Sequence, residues 1–185
     1  GSPVPVGSGP RSVEAGDVNG DGKLDLAVAN RDSDNVTILL GDGSGVFNPA
    51  AGSPVAVGDG PFAVAAGDWN GDGELDLAFA NQFSNNVTIL LGDGAGGFPT
   101  VSTVMAGTTP EGIVAGDVNG DGKLDLVVAN GGSASVTILL GNGSGGFSPG
   151  GSVAVGTFPI FVAAGDFDRD GDLDLAVANL SSNNV

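Results

Sequence analysis

The sequence predicts an all-β fold built from repeated four-stranded units. Three observations carry that reading: a triplet that recurs about every 50 residues, short apolar runs bounded by glycine-rich turns, and a composition without Ala-, Glu- and Lys-rich helical stretches. The triplet is Ala-Gly-Asp, whose aspartates fall at Asp17, Asp68, Asp117 and Asp166. A period of this length is that of a propeller blade, longer than most leucine-rich or ankyrin units. The architecture expected is therefore a β-propeller of four-stranded antiparallel blades, with about four blade repeats in the chain.

Within one period the strands follow in order. A short first strand ends at the triplet, as in Ser12 to Gly16, Phe62 to Gly67, Gly112 to Gly116 and Ile160 to Gly165. The second runs from Leu24 to Ala29, with copies at 75 to 80, 124 to 129 and 173 to 178. Alternation places Leu24, Leu26 and Val28 on one face and Ala27 and Ala29 on the other, so both faces are apolar, one bulky and one small. The third strand, Val36 to Leu40, has the same property. A sheet with one wet face would carry polar residues at alternate positions, whereas stacking of blades covers both faces. A turn, Gly41-Asp-Gly-Ser-Gly45, then leads to Phe47, with counterparts Phe98 and Phe147 expected to plug the gap between blades, and to an outer strand such as Pro54 to Val57.

These boundaries divide one repeat domain, residues 1–185, into units at 1–57 with a leading outer strand, 58–106, 107–155 and a shortened 156–185. Gly1-Ser-Pro-Val-Pro-Val-Gly7 matches Gly52-Ser-Pro-Val-Ala-Val-Gly58, so Pro3 to Val6 reads as the outer strand of a blade. Val185 corresponds to Val36, which leaves the last unit without most of its third strand. An open blade has an unpaired edge, so a larger ring or a homo-oligomer is expected to complete it.

Composition excludes several function classes. Cys and His are both zero, which removes disulfides, thiolate or imidazole metal sites and histidine-based triads. With 22 acidic and 5 basic residues the formal charge is −17, so a nucleic-acid backbone would be repelled. The longest apolar runs are far shorter than the ~20 residues a membrane helix needs, and membrane insertion is not expected.

Most of the acidic residues lie in four segments: Asp17-Val-Asn-Gly-Asp-Gly-Lys-Leu-Asp25, Asp68-Trp-Asn-Gly-Asp-Gly-Glu-Leu-Asp76, Asp117-Val-Asn-Gly-Asp-Gly-Lys-Leu-Asp125 and Asp166-Phe-Asp-Arg-Asp-Gly-Asp-Leu-Asp174. Each offers oxygen at positions 1, 3, 5 and 9. Those side chains are Asp17, Asn19, Asp21 and Asp25; Asp68, Asn70, Asp72 and Asp76; Asp117, Asn119, Asp121 and Asp125; and Asp166, Asp168, Asp170 and Asp174. Position 7 can add a backbone carbonyl, which explains the interchange of Lys23, Glu74, Lys123 and Asp172 there. Ca²⁺ takes six to eight oxygens, and Gly at position 6 permits the turn that returns position 9 to the ion. Each loop is expected to hold one Ca²⁺ at a hairpin tip, about four per chain. Bare Asn-Gly and Asp-Gly hairpin turns would explain two residues per loop and leave the converging carboxylates without counter-charge.

At these loops the chain resembles the FG-GAP/VCBS repeat family, the integrin-alpha-like β-propellers. The resemblance spans essentially the whole chain, although the Phe-Gly-Gly-Ala-Pro consensus survives only as Gly-Gly-Phe or Gly-Val-Phe. It implies a calcium-binding propeller, commonly of seven blades, with metal on one face and partners on the other. It also implies secreted or cell-surface proteins in adhesion and carbohydrate recognition. The expected function is a non-catalytic binding or adhesion scaffold for a protein or glycan ligand, extracellular or at the cell surface. The repeats differ most at 31–34, 82–85, 131–134 and 180–183, where Phe83, like Phe62 just before its strand, could stack on a sugar in a lectin-like version. Two alternatives stand beside it. One is a carbohydrate-active enzyme using acids outside the loops, namely Glu14, Asp32, Asp34, Asp42, Asp59, Asp93 and Glu111. The other is a duplicated or designed propeller with no ligand except calcium.

Overall fold

The structure is a computed structural model and describes residues 3–185. Gly1 and Ser2, which begin the segment matched to 52–58, lie outside the described residues. The first sheet contains β1 (Pro10–Gly16), β2 (Asp25–Asn30), β3 (Asn35–Gly41), β4 (Phe47–Pro49) and β5 (Val55–Ala56). The second contains β6 (Pro61–Gly67), β7 (Asp76–Asn81), β8 (Asn86–Leu91) and β9 (Thr100–Met105). The third is β10 (Pro110–Gly116), β11 (Asp125–Asn130), β12 (Ser135–Gly141) and β13 (Phe147–Ala154), and the last is the pair β14 (Pro159–Gly165) and β15 (Asp174–Asn179). Every pairing is antiparallel between sequence neighbours, apart from β5, which joins β3 beyond β4. No helix long and apolar enough to cross a membrane is present among the described residues.

The four sheets stand as blades, with β1, β6, β10 and β14 side by side along their inner edges. Equivalent pairs keep the same register, for example Val13 with Val28, Val64 with Phe79 and Ile113 with Val128. The hydrophobic cores lie between blades. Ala27, Ala29, Val36 and Ile38 of the first blade pack on Leu77, Phe79, Leu90 and Phe98 of the second. Ala78, Ala80, Val87 and Ile89 then meet Leu126, Val128 and Leu139, with Phe147 against the same cluster. The small face of each blade receives the bulky face of the next, as the alternation of the second strand predicts.

Three details depart from the expected boundaries. First strands begin earlier, at proline, and second strands begin one residue later, at aspartate. Leu24 therefore lies outside the strand, 65% exposed. Its copies show what the position does: the side-chain ends of Leu75, Leu124 and Leu173 sit over Gly16, Gly67 and Gly116 of the preceding blade, in the space a Cβ would take. The outer strand of the first blade is split into β4 and β5, with buried Ala50 donating its N–H to the Ile38 carbonyl at the break. Pro3 to Val6 forms no strand; Val4 and Val6 instead line an apolar hollow of about 460 Å³ against Val13, Leu26 and Phe47.

Position 2 of the first two loops ties neighbouring blades. The Val18 carbonyl accepts the Gly96 N–H at 3.0 Å, and the Trp69 carbonyl accepts the Gly145 N–H at 2.9 Å. Trp69 is 2% exposed and meets Phe147 edge to face at 6.1 Å. Trp69→Ala is expected to destabilise the chain by about 3–5 kcal/mol through the cavity left between the second and third blades. A urea titration followed by far-ultraviolet circular dichroism in saturating calcium checks this; a midpoint within error of the parent would contradict it.

Candidate metal centre

Each acidic loop joins the first and second strands of a blade, and backbone amides fold it inward. In the first loop Asp17 accepts the Gly22 N–H on Oδ2 at 2.7 Å and the Asp21 N–H on Oδ1 at 3.2 Å. Asn19 Oδ1 takes the Asp21 N–H and Asp21 Oδ1 takes the Lys23 N–H, both at 3.0 Å. The same nest recurs around Asp68, Asp117 and Asp166, whose Oδ2 atoms accept Gly73, Gly122 and Gly171 N–H groups at 2.9, 2.8 and 3.2 Å. Each donor is one of the position-6 glycines, and with Gly22 they hold φ of 80 to 98°, a region open to residues without Cβ. The fourth loop has Arg169 at φ 69°, where the others have Gly20, Gly71 and Gly120. That left-handed turn costs about 1–2 kcal/mol for a residue with a side chain.

Position 9 is anchored more firmly. Asp25, Asp76 and Asp125 are fully buried. Asp25 accepts Val18 N–H on Oδ2 at 3.0 Å and Gly41 N–H on Oδ1 at 2.7 Å. Asp76 does so with Trp69 and Gly92, and Asp125 with Val118 and Gly141. One carboxylate thus links the loop, the start of the second strand and the end of the third. Each of its oxygens keeps further acceptor capacity. Among the described residues Asp174 accepts only Phe167 N–H, at 2.9 Å. Gly41, by sequence the opening of a turn, is thus also the anchor of Asp25. The available signal was glycine at the identical place in three repeats, since a Cβ at Gly41, Gly92 or Gly141 would collide with the carbonyl oxygen of Leu24, Leu75 or Leu124.

Of the predicted ligands, Asp166, Asp168 and Asp174 come together, with carboxylate oxygens within 4.8 Å of one another. Asp170 and Asp172 lie outside that group. In the first and third loops position 5 turns toward the position 7 lysine: Asp21 Oδ2 lies 2.9 Å from Lys23 Nζ, and Asp121 Oδ2 lies 3.6 Å from Lys123 Nζ. The side chains of Lys23 and Glu74 lie along Gly43 and Gly94 of the adjacent turns, which leaves the backbone as position 7's contribution to a site. Hydrogen bonding from Lys23 holds Asp21 below the usual carboxylate range, and the Gly122 N–H does the same for Asp117. Burial pushes Asp76 up, against the N–H groups of Gly92 and Trp69. An all-oxygen donor set on a short, amide-lined loop suits a hard divalent cation and offers nothing to a soft one.

Five of the acids outside the loops have local partners. Asp42 accepts the Ser44 hydroxyl and amide, and Asp93 accepts the Ala95 and Gly97 amides, so both cap turns and titrate below the ordinary range. Asp34 Oδ1 takes the Gly60 N–H at 2.8 Å, Asp32 pairs with Arg31 at 3.2 Å, and Glu111 accepts Gln82 Nε2 at 2.8 Å. Burial raises Glu14 above the ordinary 4.5. On the side of the blades away from the metal loops, Arg11 stacks on Phe62 and Arg31 on Phe83, each 4.6 Å from the ring centroid.

No curated protein matches the chain. Among solved structures, BBS1N in complex with ARL6DN superposes with TM-score 0.65 at 18% identity, covering 95% of this chain and 52% of that one. A candidate 6-phosphogluconolactonase from Bacteroides uniformis gives 0.71 at 17%, covering 94% and 48%. The biofilm matrix protein Bap1 of V. cholerae gives 0.54 at 21%, covering 94% and 28%. The chain therefore spans about half the length of the first two, and at these identities the likeness is one of fold. The FG-GAP-like repeat family matches over residues 17–79, 68–128 and 117–177, each match running from one acidic loop through the second strand of the next blade. With the repeated loops, blade registers and these matches in agreement, the chain belongs to the FG-GAP-like repeat family.

Proposed function

We propose that the chain is a calcium-stabilised propeller module that serves as a non-catalytic binding scaffold. The observation that carries this reading is the fourfold loop whose last carboxylate is, in the first three copies, also hydrogen-bonded into the blade. Bound calcium would supply counter-charge to carboxylates that are otherwise crowded in a chain of charge −17. Asp17, Asn19, Asp21 and Asp25, the carbonyl of Lys23, and their equivalents in the other loops would hold it. Because Asp25 touches both the loop and the end of the third strand, order imposed on the loop is passed into the blade.

Extracellular calcium sites of this class bind at about 0.1–1 mM, so an extracellular or cell-surface setting, where calcium is plentiful, follows from the same reading. Ligand binding is assigned to the side opposite the metal loops, where the repeats differ and Phe83 is 56% exposed. A protein or glycan is the expected ligand class. The turn-capping and pairing roles of Asp32, Asp34, Asp42, Asp93 and Glu111 support the non-catalytic reading over the glycosidase alternative.

Equilibrium dialysis against millimolar calcium is expected to find about four ions per chain, one per loop. A value below one would overturn the proposal.

A further inference from the structure

Position 7 divides the four loops into two kinds that alternate along the chain. In the first loop Asp17, Asp21 and Asp25 stand against Lys23, and in the third Asp117, Asp121 and Asp125 stand against Lys123, a net charge of −2 in each. The second carries Asp68, Asp72, Glu74 and Asp76, and the fourth carries five aspartates against Arg169, a net charge of −4 in each.

The lysine charge is delivered to one of the oxygens proposed for the ion. Both oxygens of Asp21 are held by residue 23: Oδ1 accepts its N–H at 3.0 Å and Oδ2 its Nζ at 2.9 Å. Asp121 Oδ1 likewise accepts the Lys123 N–H at 3.0 Å, while its Oδ2 lies 3.6 Å from Lys123 Nζ and 3.4 Å from Asn119 Nδ2. In the second loop the same oxygen of Asp72 takes the neutral Asn70 Nδ2 instead, at 2.8 Å. The stems of Lys23 and Lys123 lie along Gly43 and Gly143, where an added Cβ would stand 3.1 and 3.3 Å from Cδ. Each ammonium is thus carried to its carboxylate by a stem packed on the neighbouring turn. Glu74 lies on Gly94 in the same way and brings a carboxylate where the others bring an ammonium.

Taking the loops as calcium sites, as proposed above, we infer that Lys23 and Lys123 are tethered competitors for the ion, so that the first and third loops fill only after the second and fourth. An ion entering the first loop displaces an ammonium from Asp21 and then sits beside it. Entering the second, it displaces a neutral amide and gains the attraction of Glu74. Calcium affinity follows the charge count of the site, and charges a few ångströms apart interact measurably even at the dielectric of water. The two kinds of loop are therefore expected to differ about tenfold in dissociation constant. At calcium levels between the two, alternate blades carry metal, and the first and third loops keep their own lysines as counter-charge.

Equilibrium dialysis of the 185-residue chain at fixed ionic strength, across a range of calcium concentrations, tests this. The parent is expected to bind about four ions in two classes, about two in each. Lys23→Gln with Lys123→Gln alters side chains that are 43% and 45% exposed, so the circular dichroism spectrum should not change. That pair is expected to tighten the weak class about tenfold, merging it with the strong one. Lys23→Arg with Lys123→Arg keeps the charge and is expected to keep both classes. Glu74→Lys is expected to move one strong site into the weak class. Four equal sites in the parent, a weak class that the glutamine pair leaves in place, or Glu74→Lys with an undiminished strong class would each overturn the competition and leave the calcium reading standing. Fewer than one ion per chain would overturn both.

Discussion

Excess chelator is expected to lower the melting temperature of this chain by about 20 °C or more relative to saturating calcium, reversibly. Each site held at a hundredfold excess over its dissociation constant adds about 2.7 kcal/mol, and for a chain of this size about 1 kcal/mol moves the melt by 2–4 °C. Four loops acting together therefore reach the stated shift. Amide nests around Asp17, Asp68, Asp117 and Asp166 also hold the loops, so the chain is expected to remain folded, though weakened, at low temperature in chelator. A melt indifferent to chelator would show that the nests alone carry the loops and that the carboxylates need no counter-charge.

The second large effect is expected at Asp125. Removing its carboxylate leaves the N–H groups of Val118 and Gly141 without acceptors beside a fully buried site. Hydrogen bonds to charged groups contribute about 1.5–3 kcal/mol each, so Asp125→Ala should cost about 3–6 kcal/mol. The loss should persist in chelator, because the blade loses its link whether or not an ion is bound. Asp117→Ala gives the contrast. Its side chain serves only the loop, so most of its cost should vanish once calcium is removed. Urea midpoints of both variants, with and without calcium, separate the roles, and equal losses for Asp125→Ala and Asp117→Ala in chelator would refute the double role of position 9.

Much of this was legible in the sequence because it is local. The spacing of the triplet gives the blade period, and the Leu/Ala alternation of the second strand gives two covered faces. Two of the aromatics that follow the turns are found in blade junctions as expected, Phe98 in the first and Phe147 in the second, while Phe47 lines the hollow beside the first blade. What escaped depends on radial packing, which spacing does not encode. Leu24 reads as one more strand residue until its copies are seen lying over glycines of another blade. Gly41 reads as a turn until its amide is found on Asp25. The loops were legible as a set of oxygens, but not the pull of Lys23 on Asp21. Lysine at position 7 competes for the position 5 carboxylate in the first and third loops, whereas Glu74 and Asp172 stand there in the second and fourth.

Because the apolar cores lie between sheets and not within them, every seam is the same small-on-bulky fit. Excising one whole period, such as residues 58–106, would rejoin the small face of the first blade to the bulky face of the third and orphan no surface. A gene carrying such a chain can thus grow or shrink by whole blades in a single recombination, whereas a cut at any other length would split a seam and expose both of its halves.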